Sequence, residues 1–186
     1  MTSGEFTRIL AGFREGQAGS EALLIDLVYQ DLRRIARKHL SGDRLGTLNT
    51  TSLINESYLR LVSPAARHVE SRNHFFYLAS RVMRQVVCDY ARARIRESQH
   101  LDRSTESDSA LQALDGALVE AHYLTRVDEA LEDLAKENER QARVVECRFF
   151  AGLTEGETAV ALDMSLRTVQ REWDRAREWL EQHMKA

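Results

Sequence analysis

Proline and cysteine are scarce in this sequence, and both scarcities narrow the folds that it can adopt. One proline and nine glycines occur among 186 residues, which excludes a fold with many tight turns and favours long helices. The two cysteines, Cys88 and Cys147, stand alone inside predicted helices, and nothing near them has the spacing of metal ligands. We therefore expect an all-α protein with buried thiols, no metal and no cofactor.

Long apolar runs are also lacking. No segment approaches the roughly 20 apolar residues that a membrane-spanning helix needs, and the N-terminus, MTSGEFTRIL, lacks the basic and then apolar order of a signal peptide. A composition of 43% hydrophobic and 30% charged residues predicts a cytoplasmic protein with a packed core. No pairing of carboxylates with His or Cys stands out, so we do not expect an enzyme.

The charge is unevenly distributed, although the net charge is only −3. Residues 1–98 carry 15 Lys and Arg against 10 Asp and Glu, whereas residues 99–122 carry 1 against 5. Residues 123–186 carry 10 against 14. This pattern predicts a basic N-terminal domain (1–98), an acidic flexible linker (99–122) that contains at most a weak helix, and a C-terminal domain (123–186).

Residues 153–180 predict two helices joined by a tight turn. Thr154 can cap the first helix, with Glu157 three residues later in the position of a capping box. Asp163 lies where the turn needs a left-handed residue, and Ser165 can cap the second helix. The spacing places four apolar residues of the second helix on one buried face: Val169, Trp173, Ala176 and Leu180.

The other face of this second helix is polar and basic, which is typical of a helix-turn-helix that enters a DNA major groove. An ordinary helical hairpin is the alternative. The exposed positions predicted to contact DNA are Arg167, Thr168, Gln170, Arg171 and Arg175.

The N-terminal domain is predicted to contain four helices. The first lies within residues 1–18, the second runs from a cap at Ser20 to about Leu40, and the third begins near Thr50. The fourth covers residues 73–97. Residues 72–96 contain six arginines and one acid, Asp89; a solvated face is the plain interpretation, but arginine also suits phosphate contact. The arginines that we predict to bind DNA are Arg81, Arg84, Arg92 and Arg96.

Together, these features resemble a bacterial RNA polymerase sigma factor of the extracytoplasmic-function (ECF) group. The segment NTTSLINE at residues 49–56 looks like the part of the family that binds the polymerase clamp. Residues 74–94, HFFYLASRVMRQVVCDYARAR, resemble the helix that recognises the melted promoter element. Residues 140–150 and the two helices after them resemble the domain that reads the upstream promoter element.

The resemblance implies core RNA polymerase and promoter DNA as partners and transcription initiation as the function. It implies that Arg167, Gln170 and Arg171 read base edges of the duplex upstream element, while Thr168 and Arg175 contact phosphate. The N-terminal arginines would hold the melted strand, with a flipped base near residues 63–73. Glu172 stands where the family often has a basic residue, which predicts modest duplex affinity.

The polymerase-binding segment departs from the family, which usually has an acidic cluster there. The matching positions are neutral, and the residues predicted to contact polymerase are Asn49, Thr50, Thr51, Ser52, Asn55 and Glu56. One interpretation is simple capping of the helix by Ser and Thr. The other is that a serine/threonine kinase phosphorylates Thr51, or Thr50, and so restores negative charge at the helix N-terminus. Trp173 and the pair Trp179 and Leu180 resemble a feature of a subgroup of sigma factors found near serine/threonine kinases.

Two other protein classes remain open on the sequence. A stand-alone helix-turn-helix regulator would bind duplex DNA without polymerase, but residues 1–98 predict neither a receiver domain nor a ligand pocket. A helical adaptor would bind no DNA, which the arginine-rich helix disfavours. Co-purification with core RNA polymerase distinguishes a sigma factor from both.

Overall fold

The structure is a computed structural model that describes residues 3–40, 48–61, 69–99 and 108–184. Within these ranges it contains helices but no strands. The predicted all-α class is therefore confirmed. Most of the predicted loops at residues 41–49 and 63–73 lie outside the described residues. The helices are α1 (Ser3–Arg14), α2 (Ser20–His39), α3 (Thr50–Leu61), α4 (Arg72–Ser98), α5 (Asp108–Val145), a π-helical turn (Glu146–Phe150), α6 (Glu155–Ala161) and α7 (Leu166–His183).

Helices α1 to α4 enclose the main core. Helical spacing predicts one apolar stripe on α2. It faces inward, except that Leu23 is 58% exposed. The residues of this stripe are Leu23, Leu24, Leu27, Val28, Leu32, Ile35 and Ala36. The predicted cap of this helix was wrong: Gly19 precedes it with a φ of 81°, a conformation that glycine adopts without steric strain. Ser20 is instead a buried first residue whose hydroxyl donates to the Gln17 carbonyl at 2.6 Å. The largest fully buried side chains of this core are Phe13, Leu24, Leu32, Ile35, Leu53, Phe75 and Met83.

Helix α5 covers much of the segment that we predicted to be a flexible linker. It starts at Asp108 and continues for 38 residues to Val145, so residues 108–122 are helical. Ala117 and Ala121 are buried in it. These small residues allow close packing against neighbouring helices, which explains why an acidic segment is ordered here.

A kink at Asn138 divides α5 into two helical segments. Asn138 has non-helical angles (φ −150°, ψ 88°), and its side-chain oxygen accepts from the Gln141 backbone N–H at 3.2 Å. Asn138 therefore caps the segment that follows. That segment ends in the π-helical turn and at Gly152, whose φ of 71° suits the end of a helix.

The C-terminal half packs against α4 in this structure. The main core extends beyond α1–α4 to include Cys147, Ala151 and Leu153 from the second half of the chain. A second, smaller core lies between α5 and α7. Its buried members are Leu131, Leu134, Ala142, Val145 and Ala176.

His39 lies where the two halves meet, and its environment predicts a pH dependence of stability. Its ring stacks on Phe150 at 5.3 Å, and Nε2 lies 3.1 Å from the Ser80 hydroxyl. Burial, with help from the nearby charges of Arg84 and Lys38, lowers the pKa of His39 to about 3. In the unfolded chain the pKa is about 6.5.

We expect the free energy of unfolding to fall as the pH drops below 6.5, because the unfolded chain then binds a proton that folded His39 does not. With these two pKa values, about 2 kcal/mol should be lost between pH 7 and pH 5. Urea unfolding of the wild type and of His39→Gln at both pH values measures it. The variant keeps every carboxyl group, so the difference between the two proteins reports on His39 alone. Equal pH dependence of the two free energies of unfolding would refute this role of His39.

Candidate nucleic-acid interface

The unit formed by α6 and α7 has the local geometry that its sequence predicts. The Thr154 hydroxyl accepts from the Glu157 backbone N–H at 3.2 Å, and the Glu157 carboxylate accepts from the Thr154 N–H at 2.8 Å. The predicted capping box is thus confirmed. Asp163 has a φ of 51°, as the turn requires. Ser165 caps α7 by accepting from the Thr168 N–H at 3.2 Å.

The predicted DNA-contacting residues of α7 lie on its outer side, but three of them, Thr168, Gln170 and Arg171, are engaged within the chain. Arg167, Gln170, Arg171 and Arg175 are exposed, and Thr168 is half-buried. The Gln170 amide donates to the Glu155 carboxylate of α6 at 2.8 Å, whereas the Thr168 hydroxyl lies 2.8 Å from that of Ser165. Arg167 and Arg175 therefore supply exposed positive charge on this face.

The four predicted DNA-binding arginines of α4 do not share one exposed face. Arg81 and Arg96 are exposed, but Arg84 is only 8% exposed and pairs with Glu146 and Asp128. The Arg92 guanidinium donates to the Asp128 carboxylate at 2.7 Å. Both acids come from the second half of the chain, so nucleic acid could reach the buried Arg84 only after a rearrangement, whereas Arg92 is partly exposed.

The predicted polymerase-binding segment forms the N-terminal turns of α3. Asn49 is its cap, because its side-chain oxygen accepts from the Ser52 backbone N–H at 2.9 Å. Thr51, Asn55 and Glu56 are exposed, and Thr50 and Ser52 are partly buried. The first turn contains no acidic residue. Capping by Asn49 means that the exposed Thr51 is not the cap of this helix.

A family model for ECF sigma factors matches residues 3–186, nearly the whole chain. The chain belongs to the ECF sigma factor family. Its members are regulatory transcription factors rather than enzymes, and their partners in transcription initiation are core RNA polymerase and promoter DNA. No curated protein and no solved structure matches the chain significantly.

Among the helices that the structure describes, none is long and apolar enough to cross a membrane. Within the same ranges, no group of three or more His, Cys, Asp or Glu side chains could hold a metal ion.

Glu172 corrects one interpretation of the α7 surface. We expected a surface acid that weakens DNA binding, yet the residue is only 4% exposed. Its carboxylate accepts from the Gln141 amide of α5 at 3.3 Å and from the Arg171 guanidinium at 2.9 Å. Burial alone would raise the pKa of Glu172, but these hydrogen bonds and the charges of Arg171 and Arg175 hold it below its usual range.

The charged Glu172 therefore links α5 to α7 and restrains Arg171 on the exposed side of α7. Sequence reasoning overlooked this role, although a signal was present. Glu172 lies three residues after Val169 and four before Ala176, so helical spacing places it on the same buried stripe.

Proposed function

We propose that this ECF sigma factor divides promoter recognition between its two halves. Helix α7 would enter the major groove of the upstream element, where Arg167, Gln170 and Arg171 read base edges while Thr168 and Arg175 contact phosphate. Helix α4 would contact the melted element through Arg81, Arg84, Arg92 and Arg96. The exposed basic face of α7, with Arg171 restrained by Glu172, is the observation that carries this proposal.

We further propose that a serine/threonine kinase activates the protein by phosphorylating Thr51. The exposure of Thr51, its place in the first turn of α3 and the lack of any acid in that turn support this step. A phosphate adds a charge of about −1.5 to −2 where the helix dipole favours an anion. It would replace the acidic cluster that related sigma factors present to the polymerase clamp. The protein would act in the cytoplasm, where polymerase and promoter DNA are found.

A stand-alone transcriptional regulator is the second candidate, and membership of the sigma factor family does not favour it. The two candidates differ in their need for polymerase. A sigma factor forms a complex with core RNA polymerase and melts the promoter only within that complex. A stand-alone regulator binds duplex DNA tightly without it.

Size-exclusion chromatography with purified core polymerase distinguishes a sigma factor from a stand-alone regulator. We expect the phosphorylated protein to elute with polymerase and the unmodified protein to elute largely alone. Promoter duplex should be retained by the complex and only weakly by the free protein. Tight, salt-resistant binding of duplex by free protein that never elutes with polymerase would refute the sigma factor assignment.

A further inference from the structure

We propose that Arg84, Asp128 and Glu146 form an intramolecular latch that holds the second half of the free protein against α4 and hides part of α4. The consequence for promoter binding rests on the function proposed above, whereas the latch itself does not. We name these three residues the α4 latch.

The latch is a buried cluster of charge at the contact between the two halves. The Arg84 guanidinium donates to the Glu146 carboxylate through Nε at 2.9 Å and through Nη2 at 2.7 Å. Its Nη1 pairs with Asp128. Asp128 is 3% exposed and Glu146 is 5% exposed. Three charged groups thus meet where α4 contacts α5 and the π-helical turn.

Charge pairing of this kind suits a contact that can open. A buried ion pair adds little net stability compared with apolar packing, yet removal of one partner alone is strongly unfavourable. The packing around the latch is also incomplete. A cavity of about 180 Å³ lies on one side, lined by His39, Cys88 and Tyr123 among others. Another of about 150 Å³ lies on the other side, lined by Tyr77, Arg81 and Glu139 among others.

The two acids of the α4 latch, Asp128 and Glu146, pair with arginines whose charge a nucleic-acid strand would otherwise neutralise. Arg84 has both of its acidic partners in the second half of the chain, and Arg92 donates to Asp128 at 2.7 Å. A guanidinium binds a carboxylate or a phosphate in similar geometry. In the closed arrangement Arg84 is buried and shared by two carboxylates, so a phosphate can reach it only after these contacts open.

This competition concerns two of the six arginines of α4, Arg84 and Arg92. The counter-charges come from α5 and the π-helical turn when the protein is closed, and from the DNA backbone when it is open. Free protein would therefore be kept from binding single strands indiscriminately. Engagement by polymerase and promoter would open the latch.

The two native cysteines can report on opening without any engineered residue. Cys88 is 2% exposed, and its thiol contacts the Leu124 carbonyl of α5 at 3.9 Å. Cys147 is fully buried in the core shared by both halves. Burial raises the pKa of Cys88 to about 11 and also raises the pKa of Cys147. Both thiols should therefore react slowly in the closed protein and fast in the open one.

The test compares thiol labelling by a maleimide at pH 8 in two full-length variants. Asp128→Asn with Glu146→Gln leaves Arg84 buried without a counter-charge, so we expect at least ten-fold faster labelling with helical content retained by circular dichroism. The matched control, Glu129→Gln with Glu132→Gln, removes the same charge from exposed positions of α5 and should label as slowly as the wild type. Unchanged labelling of the latch variant would overturn the proposal. So would loss of its helical content, because the cluster would then be part of the fold rather than a latch.

A second measurement uses only the wild-type protein and a single-stranded oligonucleotide. If the strand competes with the latch, saturating oligonucleotide should accelerate thiol labelling by at least ten-fold, and the latch variant should bind the strand more tightly than the wild type. Binding without faster labelling would overturn the competition. If the latch variant labels fast but does not bind the strand, the latch proposal stands. The proposed role of α4 in holding the melted element would then be refuted.

Discussion

Phosphorylation of Thr51 should raise the affinity of this sigma factor for core RNA polymerase by about ten- to one-hundred-fold. The phosphate would gain from the dipole of α3, worth about 0.3–1 kcal/mol. It would also make charge-assisted hydrogen bonds to basic groups on the clamp, worth roughly 1.5–3 kcal/mol in favourable geometry. A ten- to one-hundred-fold change in affinity corresponds to about 1.4–2.8 kcal/mol, so the lower part of the sum of these two contributions, about 1.8–4 kcal/mol, is sufficient. Because Asn49 already caps the helix, the effect should come from charge rather than from helix formation.

The dissociation constant for polymerase should be measured for unmodified and kinase-treated wild type, Thr51→Ala and Thr51→Glu. Thr51→Ala should bind weakly whether or not it is treated, and Thr51→Glu should recover part of the affinity because it adds one charge. Asn49→Ala serves as the structural control: it should destabilise α3 by about 1 kcal/mol without removing the response to phosphate. Equally tight binding by unmodified wild type and all variants would contradict the switch.

Arg167→Ala and Arg171→Ala should each weaken binding of the polymerase complex to its promoter by about ten- to one-hundred-fold. A base contact by arginine is worth roughly 1–3 kcal/mol of discrimination. Each loss should be specific to one base pair. On a promoter altered at that base pair, the variant and the wild type should bind with similar affinity. Arg171 is held beside the reading face by its hydrogen bonds to Glu172 at 2.9 and 3.1 Å, so little additional ordering is needed when it binds.

The matched control on the same helix is Arg177→Ala. Arg177 is also exposed, and it lies 3.8 Å from the Glu181 carboxylate, one turn further along α7. Its removal should leave base discrimination intact. Arg175→Ala should instead weaken binding uniformly across sequences and reduce the salt dependence by about one phosphate contact. If Arg177→Ala alters base preference as much as Arg167→Ala does, the assigned reading face is wrong.

Local sequence signals predicted the C-terminal unit well because each depends on near neighbours in the chain. The capping box of Thr154 and Glu157, the left-handed Asp163 and the Ser165 cap all involve residues within a single turn. The same holds for the apolar stripes of α2 and α4, where helical spacing alone selects the buried side.

The errors concern contacts between segments far apart in the sequence. Arg84 meets Glu146 and Asp128, which lie 62 and 44 positions away, so periodicity could not distinguish a buried ion pair from a solvated arginine. Residues 99–122 were predicted to form a flexible linker because the prediction used the acidic composition of the whole segment. Its buried alanines at positions 117 and 121, rather than its overall charge, are what fit helix α5 into the fold.

This chain should direct promoter-specific initiation by core RNA polymerase. The most direct measurement is sequencing of RNA 5′ ends after core polymerase transcribes fragmented genomic DNA, with the kinase-treated protein, with the untreated protein or with neither. We predict a discrete set of start sites that requires the protein, shares a two-part upstream sequence and is strongest after phosphorylation at Thr51. A set of RNA 5′ ends that is the same with and without the protein, in both phosphorylation states, would contradict the account.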